Sequence, residues 1–195
     1  MALNIYDGEL RRNLFNIIID SCEKIKFLRL DYVDIVNVPQ LSKMIFSFND
    51  YLKYLTLNVN NADRLKISSM ILKDLSKSLP HSLYYLDLFL IINPDALQIA
   101  LENFKQTELK KLLIRNDNSE NHETNLKVIR EFAKEKNLES LSYNIGNSFS
   151  IVEDNERHKS LENLVEEVQS FTKVRRYDDL AIKVSEIDGA LIIND

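Results

Sequence analysis

The sequence predicts an α/β fold: a right-handed solenoid of about five strand–helix repeats, with a parallel sheet on the concave side and helices on the convex side. Three observations carry this expectation. A six-position apolar frame recurs five times, the segments between frames have apolar residues at helical spacing, and the framed segments alternate in polarity as half-buried strands do.

The first helix is expected from Leu10, Leu14, Ile17 and Ile18, and the first frame follows at Ile25, Leu28 and Leu30. Val38, Leu41, Ile45 and Phe48 give the second helix, leading to the frame Leu52, Leu55 and Leu57. Ile67, Ile71 and Leu75 give the third helix; Leu79-Pro80 should end it, because the residue before proline avoids the helical region. The frame Leu83, Leu86 and Leu88 follows. Asn93-Pro94-Asp95 has the chemistry of a helix start: a capping amide, a proline in the first turn and an acid at the positive dipole end. Ala96, Ala100 and Phe104 continue that helix into the frame Leu109, Leu112 and Ile114, and Leu126, Ile129 and Ala133 lead to the last frame, Leu138, Leu141 and Tyr143. The polar stretch 116–122 reads as a surface loop between them.

Successive first anchors lie 27, 31, 26 and 29 residues apart. A period near this value is that of leucine-rich repeats, in which a single unit cannot bury its apolar face and stacked neighbours must do so. A doubly wound parallel sheet would share the alternation of strands and helices, but its strands are apolar on both sides. Residues 53–59 and 139–145 alternate instead, which leaves one sheet face for solvent or a partner.

The entries 22–30 and 79–88 resemble those of leucine-rich repeats in F-box-type proteins, and the resemblance spans roughly residues 9 to 145. In that family the repeats form a horseshoe whose concave sheet recruits a target, often for ubiquitination, while a separate helical F-box docks a ligase adaptor. No such module is recognisable before Gly8, so the expectation is a recognition array without its effector. The turn asparagine usual eight places beyond the first anchor occurs only as Asn60; Val33, Ile91, Asp117 and Gly146 occupy the equivalent positions, which implies varied turns.

With the anchors facing inward, the intervening residues should form columns on the concave face. The first is Phe27, Tyr54, Tyr85, Lys111 and Ser140, the second Arg29, Thr56, Asp87, Leu113 and Ser142, and the third Asp31, Asn58, Phe89, Arg115 and Asn144. Aromatic rings and arginines dominate interface energetics. Phe27, Arg29, Tyr54, Thr56, Tyr85, Asp87, Phe89, Lys111 and Arg115 are therefore the predicted partner-binding residues. The same rings can also be ordinary sheet-covering residues.

The solenoid is expected over residues 1–147 and a C-terminal cap and tail over 148–195. Leu161, Leu164, Val165, Val168 and Phe171 form a helical stripe suited to close the end of the ladder. Residues 180–184 fit either a strand or a helix.

Other function classes find little support. The formal charge of −5 offers no broad positive field for nucleic acid. Three glycines are too few for a phosphate-cradling loop. The single Cys22 reads as a small buried filler, and with no apolar run long enough to span a bilayer the chain reads as intracellular, cytoplasmic or nuclear. His81, His122 and His158 lack ligand spacing, so neither metal nor cofactor is expected. No local nucleophile signature points to an enzyme. The function expected is recognition of a protein partner; a degenerate structural array and a small α/β enzyme are the alternatives.

Overall fold

The computed structural model describes residues 2–4, 8–22, 24–59, 64–116, 121–145, 163–164, 166–170, 172–181 and 190–194. Strand β1 (Ala2–Asn4) precedes α1 (Gly8–Ser21), β2 (Phe27–Leu30), α2 (Val38–Ser47) and β3 (Tyr54–Asn58). Then come α3 (Arg64–Asp74) with a 3-10 turn (Leu75–Ser78), β4 (Tyr85–Leu90), α4 (Pro94–Phe104), β5 (Lys111–Asn116), α5 (His122–Lys136) and β6 (Ser140–Ile145). Residues 163–164 and 166–169 are helical and are called α6; β7 (Lys173–Val174), α7 (Tyr177–Leu180) and β8 (Ala190–Asn194) complete the chain. The fold is α/β, built on one open parallel sheet in the order β1-β8-β2-β3-β4-β5-β6-β7.

The five frames become β2 to β6, neighbours in chain order. Pairing aligns Leu28 with Leu55, Leu86, Leu112 and Leu141, and Leu30 with Leu57, Leu88, Ile114 and Tyr143. All of these are buried except the half-buried Tyr143. The ladder continues one residue ahead of the strands, where Lys53 N–H donates to Lys26 O, Tyr84 N–H to Lys53 O, Lys110 N–H to Tyr84 O and Glu139 N–H to Lys110 O. Helices α1 to α5 lie beside one another in chain order and share an apolar core with these anchors.

Local chemistry sets the helix ends. Asn93 Oδ1 accepts from the N–H groups of Asp95 (3.0 Å) and Ala96 (3.2 Å), capping α4 behind Pro94. Before Pro80, Leu79 is extended at φ −67°, ψ 134°, and helical structure ends at Ser78. Asn137, at φ 54°, supplies the left-handed residue that terminates α5.

Several expectations need correction. In α1 the buried residues are Arg11, Phe15 and Ile18, whereas Leu10 and Ile17 are exposed. Arg11 fixes that rotation: its guanidinium donates to the carbonyls of Asp31 (2.8 Å) and Tyr32 (2.7 Å). Cys22 is half-buried rather than enclosed. Of the stretch 116–122, residues 117–120 lie outside the described residues; Asn116 is buried, and its Oδ1 accepts from Ile92 N–H at 3.1 Å and ties the exit of β4 to β5. The C-terminal segment contributes more than a helix. Leu164 and Val168 bury one side of α6, while Leu161, Val165 and Phe171 lie outside the described residues. Residues 177–180 are helical, and 190–194 form a strand inserted between β1 and β2, so the ladder has a neighbour on its β2 side that its repeat period does not encode.

Leu86→Ala, at a position 1% exposed, should lower unfolding stability by roughly 2–5 kcal/mol. Ile17→Ala, at a position 60% exposed, should stay within about 0.5 kcal/mol. Urea denaturation of the two variants checks both.

Candidate functional site

The second face of the sheet carries the predicted columns, and strand pairing aligns them as the frame requires. Phe27 lies beside Tyr54, Tyr85, Lys111 and Ser140, and β7 adds Lys173 to that line. Arg29, Thr56, Asp87, Leu113 and Ser142 form the second line; Asn58, Phe89, Arg115 and Asn144 form the third, with Asp31 just beyond β2.

Register is as expected, but exposure is not. Phe27 and Tyr85 are each 1% exposed, and Thr56, Asp87 and Leu113 are also buried. The expectation of a continuous exposed aromatic column is therefore corrected. The Tyr54 ring lies 6.2 Å from that of Tyr85 and 6.3 Å from that of Tyr84. Of the nine predicted residues, Arg29, Tyr54, Phe89, Lys111 and Arg115 are half-buried and reach solvent, while Phe27, Thr56, Tyr85 and Asp87 pack inside.

At the carboxyl ends of the strands, Phe89 is flanked by two cations. The Arg115 guanidinium carbon is 4.5 Å from its ring centroid and that of Arg64, the first residue of α3, is 5.0 Å away. Such stacking is electrostatic, drawn by the negative ring face. Arg64 Nε donates to Val59 O at 2.9 Å, and Arg115 Nε lies 3.9 Å from Asp87 Oδ1. In the next strands, Arg29 Nε donates to Asp31 Oδ2 at 3.0 Å and Asn58 Nδ2 to Asp31 Oδ1 at 3.1 Å. Both carboxylates are shielded, with Asp87 and Asp31 side chains 3% and 8% exposed, whereas Arg29 and Arg115 are 41% and 26% exposed. Within this cluster the arginines are the more exposed members.

At the amino ends, the Tyr84 hydroxyl donates to Glu139 Oε2 at 2.5 Å. That bond to a carboxylate, with burial adding to it, pushes the Tyr84 phenol up to about 12. Lys111 Nζ lies 5.6 Å from the Tyr84 ring centroid. Arg64, Tyr84 and Glu139 are not among the nine predicted site residues. Arg64 follows its strand and falls on no column, and Tyr84 sits one place ahead of the first column.

A third polar group joins Asn116, His122 and Tyr143. His122 Nδ1 lies 3.0 Å from the Tyr143 hydroxyl, to which Asn116 Nδ2 donates at 3.3 Å. Burial lowers the His122 pKa and raises that of Tyr143, the latter opposed by hydrogen bonds from Asn116 and Asn125. Among the described residues no group of three or more His, Cys, Asp or Glu is placed to hold a metal ion, and no helix is long and apolar enough to cross a membrane.

No family model matches the chain, and no curated protein or solved structure matches it. The site thus rests on its own geometry: cation-stacked aromatic, half-buried tyrosine and charged donors on one sheet face, an arrangement suited to recognition.

Tyr85→Ala should cost roughly 3–5 kcal/mol in urea unfolding, since its ring is fully enclosed, whereas Arg29→Ala should cost less than about 1 kcal/mol. His122 gives a pH signature. Its folded-state pKa lies below the ordinary 6.5, so the unfolded chain binds the proton more readily, and the stability tied to neutral His122 is full above pH 6.5 and falls as the pH drops towards the folded value. Unfolding midpoints measured across this range should fall more steeply for the native protein than for His122→Gln.

Proposed function

We propose that the protein is a recognition module that binds a protein partner across the second face of its sheet, and that the repeats form a leucine-rich-repeat horseshoe with this face concave. The observation that carries the reading is the in-register placement of Arg29, Tyr54, Phe89, Lys111 and Arg115, half-buried on one face, with Phe89 between two guanidiniums. Arginine and aromatic side chains held by their neighbours lose little freedom when a partner arrives, which is what makes such residues strong contributors to an interface. Phe27 and Tyr85 lie in line with these residues but are buried, and they are not counted among the contacts. The resemblance to F-box-type repeats makes a target protein for ubiquitination one partner consistent with this reading.

A photo-crosslinking amino acid placed at Tyr54 or Phe89 should trap a discrete partner from cell extract, and Arg29→Glu should reduce the yield. The same probe at Phe46 or Ile99, exposed on α2 and α4, should trap none of it. Equal yields from the sheet and helix positions would refute the assignment of this face.

A further inference from the structure

At the amino ends of β5, β6 and β7 lies an open groove of about 720 Å³. Lys111, Ser140 and Lys173, the first residues of these strands, stand side by side in its floor. Strand spacing sets the two lysine positions roughly 9–10 Å apart. Arg175 joins them: its N–H donates to Leu141 O at 2.9 Å, which carries the β6–β7 pairing past the strand end and holds the guanidinium-bearing residue at the groove. Glu139 and Asp179 also line it, and Glu139 is engaged by the Tyr84 hydroxyl. Lys173 and Arg175 are exposed and form no ion pair among the described residues.

The surrounding edge is mixed in charge: among the described residues, the connections entering β2 to β6 carry Lys24, Lys26, Lys53, Lys105 and Lys110 beside Asp50, Glu108 and Glu139. Lys110 is partly occupied, its Nζ 3.5 Å from Asn137 O, and lysine there also offsets the negative ends of the helices. Lys111 and Lys173 stand on the sheet itself, and Arg175 follows directly on β7.

We propose that this groove receives an acidic stretch of the partner polypeptide, with carboxylates seated by Lys111, Lys173 and Arg175. The assignment rests on the recognition reading, since Lys111 belongs to both the groove and the sheet face. One feature favours a peptide over nucleic acid. Glu139 and Asp179 interrupt the positive field, which a uniform phosphate chain meets as repulsion, whereas an extended peptide can place acidic residues only opposite the cations.

Fluorescence anisotropy on the full chain tests this with labelled oligo-glutamate, oligo-glutamine and oligo-uridylate of equal length at low ionic strength. Oligo-glutamate should bind, oligo-glutamine should not, and added salt should weaken the complex. Lys111→Gln/Lys173→Gln/Arg175→Gln should reduce affinity roughly tenfold, the combined effect expected of three exposed ion pairs. The single change Lys173→Gln gives a smaller loss without crowding substitutions into one site, and Lys66→Gln on α3 should leave binding unchanged. Circular dichroism and the urea midpoint confirm that each variant is folded. Tighter binding of oligo-uridylate, or no difference between the native and triply substituted proteins, would overturn the proposal. If oligo-glutamate fails while crosslinks at Tyr54 and Phe89 persist, the groove assignment alone falls; if those crosslinks also vanish, the recognition reading falls with it.

Discussion

Everything in this protein depends on the register of a parallel ladder in which leucine lies beside leucine. Leu28, Leu55, Leu86, Leu112 and Leu141 occupy one rung across five strands, and backbone hydrogen bonds start the alignment one residue earlier, from Lys26 through Lys53, Tyr84 and Lys110 to Glu139. A slip of one residue in any strand would turn its leucines to the opposite face. Burial of those leucines therefore enforces the pairing, and the pairing determines every lateral contact on the other side.

That other side is neither a solvated sheet nor a second apolar core. Phe27, Tyr85 and Leu113 are buried, as are Thr56, Asp87, Ser140 and Ser142, while the half-buried charged and aromatic groups stand towards the strand ends. The physical logic is one of anchoring. Buried Asp87 beside Arg115, and buried Asp31 beside Arg29, orient guanidiniums that remain partly wet, and Phe89 holds two more planar contacts through its ring faces. Such pairs add little net stability at a surface, but they restrict where the donors point.

The turns use varied solutions to one problem, the unsatisfied backbone where a strand leaves the sheet. Beyond β4, Ser68 Oγ accepts from Ile91 N–H and Asn116 Oδ1 from Ile92 N–H, while Asn125 Nδ2 reaches Ile92 O at 3.5 Å. An array whose turn asparagines are irregular in sequence can still satisfy these groups, because the needed side chain comes from a neighbouring helix or strand. Buried backbone donors demand a partner without specifying its place in the chain.

The sequence by itself determined the order of strands and helices between residues 10 and 145, the cap at Asn93, the break at Pro80 and the lateral columns. These follow from a two-residue strand period, a helical period and local backbone preferences, all of which act within a few positions of the chain. Only the tertiary structure decided that Tyr85 is enclosed and Tyr54 is not, that Arg64 joins Arg115 on Phe89, that Tyr84 meets Glu139, and that residues 190–194 lie beside β2. Each of these is set by neighbours tens of residues away or more, whose distances and packing densities no periodicity encodes. Burial is a property of the surroundings, and the pattern in the chain fixes only which way a side chain points.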